Sequence, residues 1–199
     1  AAHGVRIVPG GADIGVARRA ALAAAHAAGH DAMLAIDFDR WLHWATTHPV
    51  ELGQVPSRLA RQRPRRWYAC LGRTARAFAT HPDVQRLTET VSNAAASRAL
   101  GRRIDAVAGA SWLSRQGADL VLAQSIETTN ATDLEWPALI SLVEPRRIGQ
   151  LFCEGLEFET ATFHQAAIAA AGGLAAWTRL TYDHPASWRD RAQLSTDSI

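Results

Sequence analysis

The residues most able to do chemistry are Asp37 and Asp39, which flank Phe38 at the end of an apolar run. In an extended segment, positions i and i+2 point to the same side. The two carboxylates can therefore converge on one hard cation, and Mg²⁺ or Mn²⁺ suits carboxylate and phosphate oxygens. Such a cation would neutralise a diphosphate leaving group. The same pair could equally do no more than cap the helix that follows. Immediately downstream, Arg40-Trp41-Leu42-His43-Trp44 offers His43 as a further metal ligand or sugar contact, and Trp41 or Trp44 as a ring to stack on a sugar or base. An amphipathic helix packing its indoles into a core is the plainer account. Glu89 and Asn93 share a helix face at i,i+4, lining a cleft or facing solvent. Glu154, Glu157 and Glu159 gather around Gly155 as an acceptor-side wall or a solvated turn. His81-Pro82 reads as a helix start.

Several other chemistries are missing their residues. There is no Cys-x-x-Cys pair and no His-Glu-x-x-His, so neither a structural zinc nor a zincin site is expected. No Gly-x-Ser-x-Gly elbow occurs, and without Lys there is no Walker A loop. Gly10-Gly11-x-x-x-Gly15 lacks the dinucleotide-binding spacing. All basic residues are Arg, the better bidentate partner for phosphate. The one Arg cluster, at 58, 61, 63, 65 and 66, is followed by Trp67 and Tyr68 rather than interleaved with them. It reads as a solvated loop, and nucleic acid is not an expected partner.

Elements must position these groups. With 48% hydrophobic and 20% charged residues, 199 residues suffice for one domain with a real core. Residues 5–8 read as a strand stopped by Pro9-Gly10-Gly11. Asp13 can cap a helix that ends at Gly29, and 33–38 reads as a buried parallel strand, which together make one βαβ unit. A helical segment follows from Arg40, restarting at Pro49. Strands are expected at 67–71 and 148–153, with a mixed, strand-like segment at 106–113. Helices are expected at 82–100, 117–124 and 133–143, and a helical tail from about 160 to 199, broken at Gly172-Gly173 and Pro185. Strands alternating with helices imply an α/β fold, a mostly parallel sheet flanked by helices, as a single domain over 1–199. The strands 5–8, 33–38 and 67–71 should be neighbours. Apolar runs stop well short of about 18 residues, so no transmembrane segment is expected. Cys70 and Cys153 read as reduced core residues, and the expected location is cytoplasmic. Ala1-Ala2-His3-Gly4 lacks a starting Met and the pattern of a signal peptide.

Gly15-Val16-Ala17-Arg18-Arg19 lies one helix before the acidic strand end. The span 15–39 resembles the central part of the GT-A glycosyltransferases, family 2 above all. Those enzymes have a Gly-x-x-Ala-Arg-Asn-like helix start, a helix, then a strand ending in Asp-x-Asp; here Arg19 stands in place of the Asn. The resemblance implies that Arg18 lies near the nucleotide diphosphate, that Asp39 binds the metal, and that Asp37 contacts the ribose or the metal. Cys70-Leu71-Gly72-Arg73 is similar to the Gly-Ser-Arg segment of dolichyl-phosphate-sugar synthases, which places Arg73 at the donor. Residues 109–115 look like the acceptor-side strand. Thr132-Asp133-Leu134-Glu135-Trp136-Pro137 sits where those enzymes carry an acidic motif at a helix start. Asp133, with Glu135 as the alternate, would then deprotonate the acceptor hydroxyl in an inverting enzyme. The resemblance covers about 15–159 and implies a metal-dependent glycosyltransferase moving a sugar from a nucleoside diphosphate donor to an acceptor hydroxyl. It also implies a GT-A-like sheet whose first, nucleobase-holding βαβ unit would precede residue 1. A nucleotidyltransferase and a non-catalytic nucleotide-sugar-binding domain remain as alternatives.

Overall fold

The computed structural model describes residues 6–61 and 65–197; residues 1–5, Arg63 and residues 198–199 of the segments named above lie outside them. The elements run α1 (Ile14–Ala27), β1 (Ala32–Ile36), α2 (Phe38–Thr47), α3 (Pro49–Ala60), β2 (Tyr68–Arg73), α4 (Ala75–Ala79) and α5 (Asp83–Ala99). They continue with β3 (Ala110–Ser114), α6 (Arg115–Gln124), α7 (Thr132–Val143), a 3₁₀ turn (Pro145–Arg147) and β4 (Ile148–Cys153). The tail holds α8 (Thr160–Phe163), α9 (Gln165–Ala170), α10 (Leu174–Tyr182) and α11 (Pro185–Asp197).

The four strands form one mixed sheet in the order β1-β3-β2-β4. Its two central strands are buried along their whole length. Side chains alternate across a strand, and the core divides accordingly. Met33, Tyr68, Cys70, Leu113 and Ile148 face α1, α6 and α7 through Leu22, Val121, Trp136 and Ile140. Ala69, Leu71, Trp112, Leu151 and Cys153 face α2 and α3 through Trp44, Val55 and Leu59. Covering both faces explains why β2 and β3 read as continuous apolar runs rather than as alternating ones. Both cysteines are free and buried inside these two layers.

Three expectations need correction. First, residues 6–8 carry no regular structure and Ile7 is 90% exposed, so the segment ahead of α1 makes no βαβ unit with β1. A strand needs a pairing neighbour, and Pro9 halts this short run before it can find one. Second, the sheet is not mostly parallel. Among the described residues only β2 and β4 pair in parallel, whereas β3 runs antiparallel to both β1 and β2. Third, β1 and β2 are not neighbours, because β3 lies between them.

The course of the chain after α5 explains the reversal. Gly101, in the left-handed region at φ +62, ends the helix region. Residues 104–106 and 108 then run buried beside the end of β2, where Arg73 N donates to Asp105 Oδ2 at 2.7 Å. The chain thus re-enters the sheet at the edge where β2 leaves it, and β3 must run backwards. The carboxyl ends of β1, β2 and β4 and the start of β3 consequently share one edge. Among the described residues no helix is long and apolar enough to cross a membrane.

Candidate functional site

A cleft of about 330 Å³ opens at that edge. Asp37 follows the last residue of β1 and occupies the N-cap position of α2, without making a side-chain cap bond. Asp39 and Arg40 lie in the first turn of α2, so the extended i, i+2 geometry expected of the two carboxylates is replaced by a helical one. Asp37 and Asp39 both line the cleft even so. Gly109 at the entry to β3 adopts φ +65. A Cβ there would fall 2.7 Å from Asp37 Oδ2 and 2.8 Å from Arg40 Nε, so only glycine lets these side chains come so close.

Arg18 reaches the same point from α1. Gly15 seats this helix, because its N–H donates to Thr128 O at 2.8 Å and a side chain there would strike the backbone of Glu127. Arg19 holds the same loop by donating to Glu127 O. With α1 fixed in this way, Arg18 Nη2 donates to both oxygens of Asp37 at 3.0 and 3.1 Å. Its Nη1 donates to Asp133 Oδ1 and to Thr132 Oγ1, each at 3.0 Å. Asp133 is not a helix cap: α7 begins at Thr132 with Ala131 as N-cap, and the Asp133 carboxylate turns to Arg18. On the far side of Asp37, Arg40 Nε lies 4.0 Å from Oδ2, and Arg40 Nη1 lies 3.5 Å from Glu159 Oε2. Asp133, Arg18, Asp37, Arg40 and Glu159 therefore form a ladder of alternating charge drawn from four parts of the chain.

The electrostatics follow. Burial lifts the Asp133 carboxyl to about 6; Arg18 pulls it back, and the neighbouring Asp37 charge raises it further. Burial works against the charge on Arg18, but Asp133 and Asp37 outweigh it and raise its pKa. Five carboxylates and three guanidinium groups line the cleft, so it carries an excess of negative charge when all are ionised.

Other expected site residues lie elsewhere. Arg73 is fully buried, donating to Asp105 at 2.9 and 2.8 Å and to Glu89 at 2.6 Å. These hydrogen bonds and charges outweigh its desolvation and keep it charged. It does not line the cleft, although its partner Glu89 does. Asn93, four residues on, donates to Asp105 and accepts from Ala106 N. Glu135 faces away and ties the loop before α7, accepting from Ser125 and from the N–H groups of Ile126 and Glu127. Trp44 is wholly buried against Gly155, donating to Glu51 at 2.9 Å, and His43 Nδ1 lies 2.7 Å from Thr162 Oγ1. Neither lines the cleft. His81, buried beside Gln85, is pulled down to about 4, by burial first and then by Arg73 and Arg40, so it is neutral at pH 7. Glu154 and Glu157 pair with Arg76. Glu159 alone of that acidic cluster lines the cleft.

Among the described residues no group of three or more His, Cys, Asp or Glu side chains is arranged to hold a metal ion. The chain matches no protein-family model, no curated protein and no solved structure.

Proposed function

We propose that this cleft is the donor site of a metal-dependent glycosyltransferase that moves a sugar from a nucleoside diphosphate to an acceptor hydroxyl. The observation that carries the reading is the bridge made by Arg18, which holds Asp37 and also Asp133, 115 positions from Arg18 in sequence. A cationic group between two carboxylates, one of them with its pKa lifted toward neutrality, supplies what sugar transfer requires. Asp133 can accept the proton of the attacking hydroxyl near pH 7, as a base is most effective when its pKa lies near the working pH. Arg18 can turn one of its forked edges to a phosphate oxygen while the other keeps Asp133 in place.

The charge balance of the cleft supports a metal. A diphosphate entering an acidic cleft would be repelled unless a cation came with it. Asp37 and Asp39 are the residues that would hold Mg²⁺ or Mn²⁺. Two carboxylates are sufficient when substrate phosphates complete the coordination, as is usual for Mg²⁺. When bound, the ion would neutralise charge on the departing diphosphate.

The test is calorimetric titration of the chain with UDP, GDP, ADP and CDP, with and without Mn²⁺. One of the four should bind in a Mn²⁺-dependent manner, and Asp37→Asn and Asp39→Asn should each abolish that dependence. Metal-independent binding, or no binding by any of the four, would remove the proposal.

A further inference from the structure

The charge ladder ends in a defect. Arg40 Nη1 and Glu159 Oε2 face each other at 3.5 Å, and neither atom has a hydrogen-bond partner among the described residues although both are buried. The Glu159 side chain is only 9% exposed, and it lines the cleft. The two atoms have each other's opposite charge but no hydrogen bond in place of the hydration they lost, and such buried atoms call for an explanation. The other unpartnered atoms belong to His43, Arg86 and Arg102, none of which lines the cleft. The defect at the site is thus specific to this pair.

The chemistry of the two atoms limits what could satisfy them. A guanidinium only donates and a carboxylate only accepts. Glu159 would repel an anion, and Arg40 would repel a cation. A hydroxyl both accepts and donates, so one hydroxyl can satisfy both atoms. Thr160 and Tyr182 bring two more hydroxyls to the same wall, and burial raises the Tyr182 phenol so that it keeps its proton. This wall suits a polyol.

We propose that Arg40 and Glu159 read a hydroxyl of the sugar ring carried by the nucleoside diphosphate donor. The inference rests on the donor reading above. In such a donor the ring attaches directly to the diphosphate, so it must lie beside Asp37. Arg40 Nε approaches Asp37 at 4.0 Å, and its Nη1 leads on to Glu159, whereas Asp133 is tied to Arg18. An acceptor hydroxyl, in contrast, belongs beside Asp133, at the other end of the ladder.

Calorimetry with Mn²⁺ separates this inference from the reading beneath it. UDP and GDP report the nucleotide site; their glucose, galactose, mannose and N-acetylglucosamine conjugates report the sugar. Glu159→Gln keeps the shape of the side chain but exchanges an acceptor oxygen for an N–H donor. It should weaken the preferred nucleotide sugar about tenfold or more, the scale of a hydrogen bond to a charged group, while the nucleoside diphosphate stays within about twofold. The unaltered chain gives a mutation-free check: one monodeoxy form of the preferred sugar should lose about the same factor, and Glu159→Gln should lose little more when tested with that form. Equal weakening of nucleotide and nucleotide sugar, or no change in either, overturns the subsite while leaving the donor site standing. Failure of UDP, GDP, ADP and CDP alike to bind the unaltered chain removes both.

Discussion

Arg18 Nη1 and Asp133 Oδ1 lie 3.0 Å apart, with side chains 16% and 21% exposed. The same guanidinium holds Asp37 through its other nitrogen. One cation thus keeps two carboxylates together on elements that are remote in sequence. Arg18→Met removes that cation and leaves two partly buried acids facing one another. Breaking a buried pair in this way costs about 3–5 kcal/mol, and partial exposure lowers the expected loss to about 2–3 kcal/mol at pH 7. At pH 4.5 the carboxyl lifted to about 6 is already protonated, so the loss should shrink. Urea unfolding at the two pH values checks this; an equal loss at both would mean that Arg18 stabilises through its alkyl packing alone.

Arg73 is expected to behave as a structural residue. Its side chain has no exposure and is bound by Asp105 and Glu89. Asp105 carries a pKa below the usual carboxylate range, because Arg73 overcomes the effect of its burial. A carboxylate with a depressed pKa stabilises the fold above its unfolded value, and that stability is lost as pH falls through the folded value. Asp105→Asn should therefore cost about 3 kcal/mol at neutral pH and less in strong acid. Chemical unfolding followed from neutral to strongly acidic pH measures it. A variant as stable as the unaltered chain at neutral pH would show that the pair is dispensable.

Gly109 connects the fold to the site. An alanine there would adopt a left-handed φ and place its Cβ within 2.8 Å of both Asp37 and Arg40. The backbone conformation alone costs about 1 kcal/mol or more for a non-glycine residue, and both charged side chains must move. Gly109→Ala should lose Mn²⁺-dependent nucleotide binding by more than its change in melting temperature would suggest. Calorimetry beside a thermal melt separates the two effects; unchanged affinity would show that Asp37 need not sit where it does.

What could be read in advance depended on whether the information was local. Residues 148–153 were expected as a strand and form β4 over the same residues, because Pro145 and Gly155 bound a short apolar run. Helix α5 begins at Asp83 after Pro82, as the proline and the later glycine indicate. The direction of β3 was not legible, because it follows from a buried loop steered by Asp105, whose partners Arg73 and Gln150 lie far away in sequence. Asp37, Asp39, Arg18 and Asp133 were singled out and do meet in one cleft, but Arg18 and Asp133 came from a family resemblance rather than from spacing. In the sequence Arg40 marks only the start of a helical segment. Glu159 reads only as part of an acidic cluster, and the other members of that cluster lie outside the cleft. Nothing in the local pattern of either residue announces a partner brought in from the other end of the chain.

The final prediction sets function against stability at Asp133. Its carboxyl titrates at about 6 when folded, against an ordinary 3.8, chiefly because burial disfavours the charge. An acid whose folded pKa is raised holds its proton longer in the folded state than in the unfolded one. It therefore favours folding as pH falls from about 6 toward 3.8, and opposes folding once ionised above 6. Asp133→Asn replaces the ion with a neutral side chain of the same shape, while Arg18 keeps its bond to Asp37. At pH 7 the variant should unfold at equal or higher urea than the unaltered chain, and that advantage should shrink as pH falls from about 6 and disappear only below 3.8. A base works only when ionised, so under the proposed function the unaltered chain should lose about tenfold in kcat/KM for each pH unit below about 6. The variant should be slower by on the order of 10²–10⁴ at pH 7 and should lack that acid limb. A gain in stability together with a loss of turnover would mark Asp133 as a residue held at a cost to the fold for the sake of the reaction. Lower stability at pH 7 with turnover intact would make it only the anchor of Arg18, and the base would have to be sought elsewhere in the cleft.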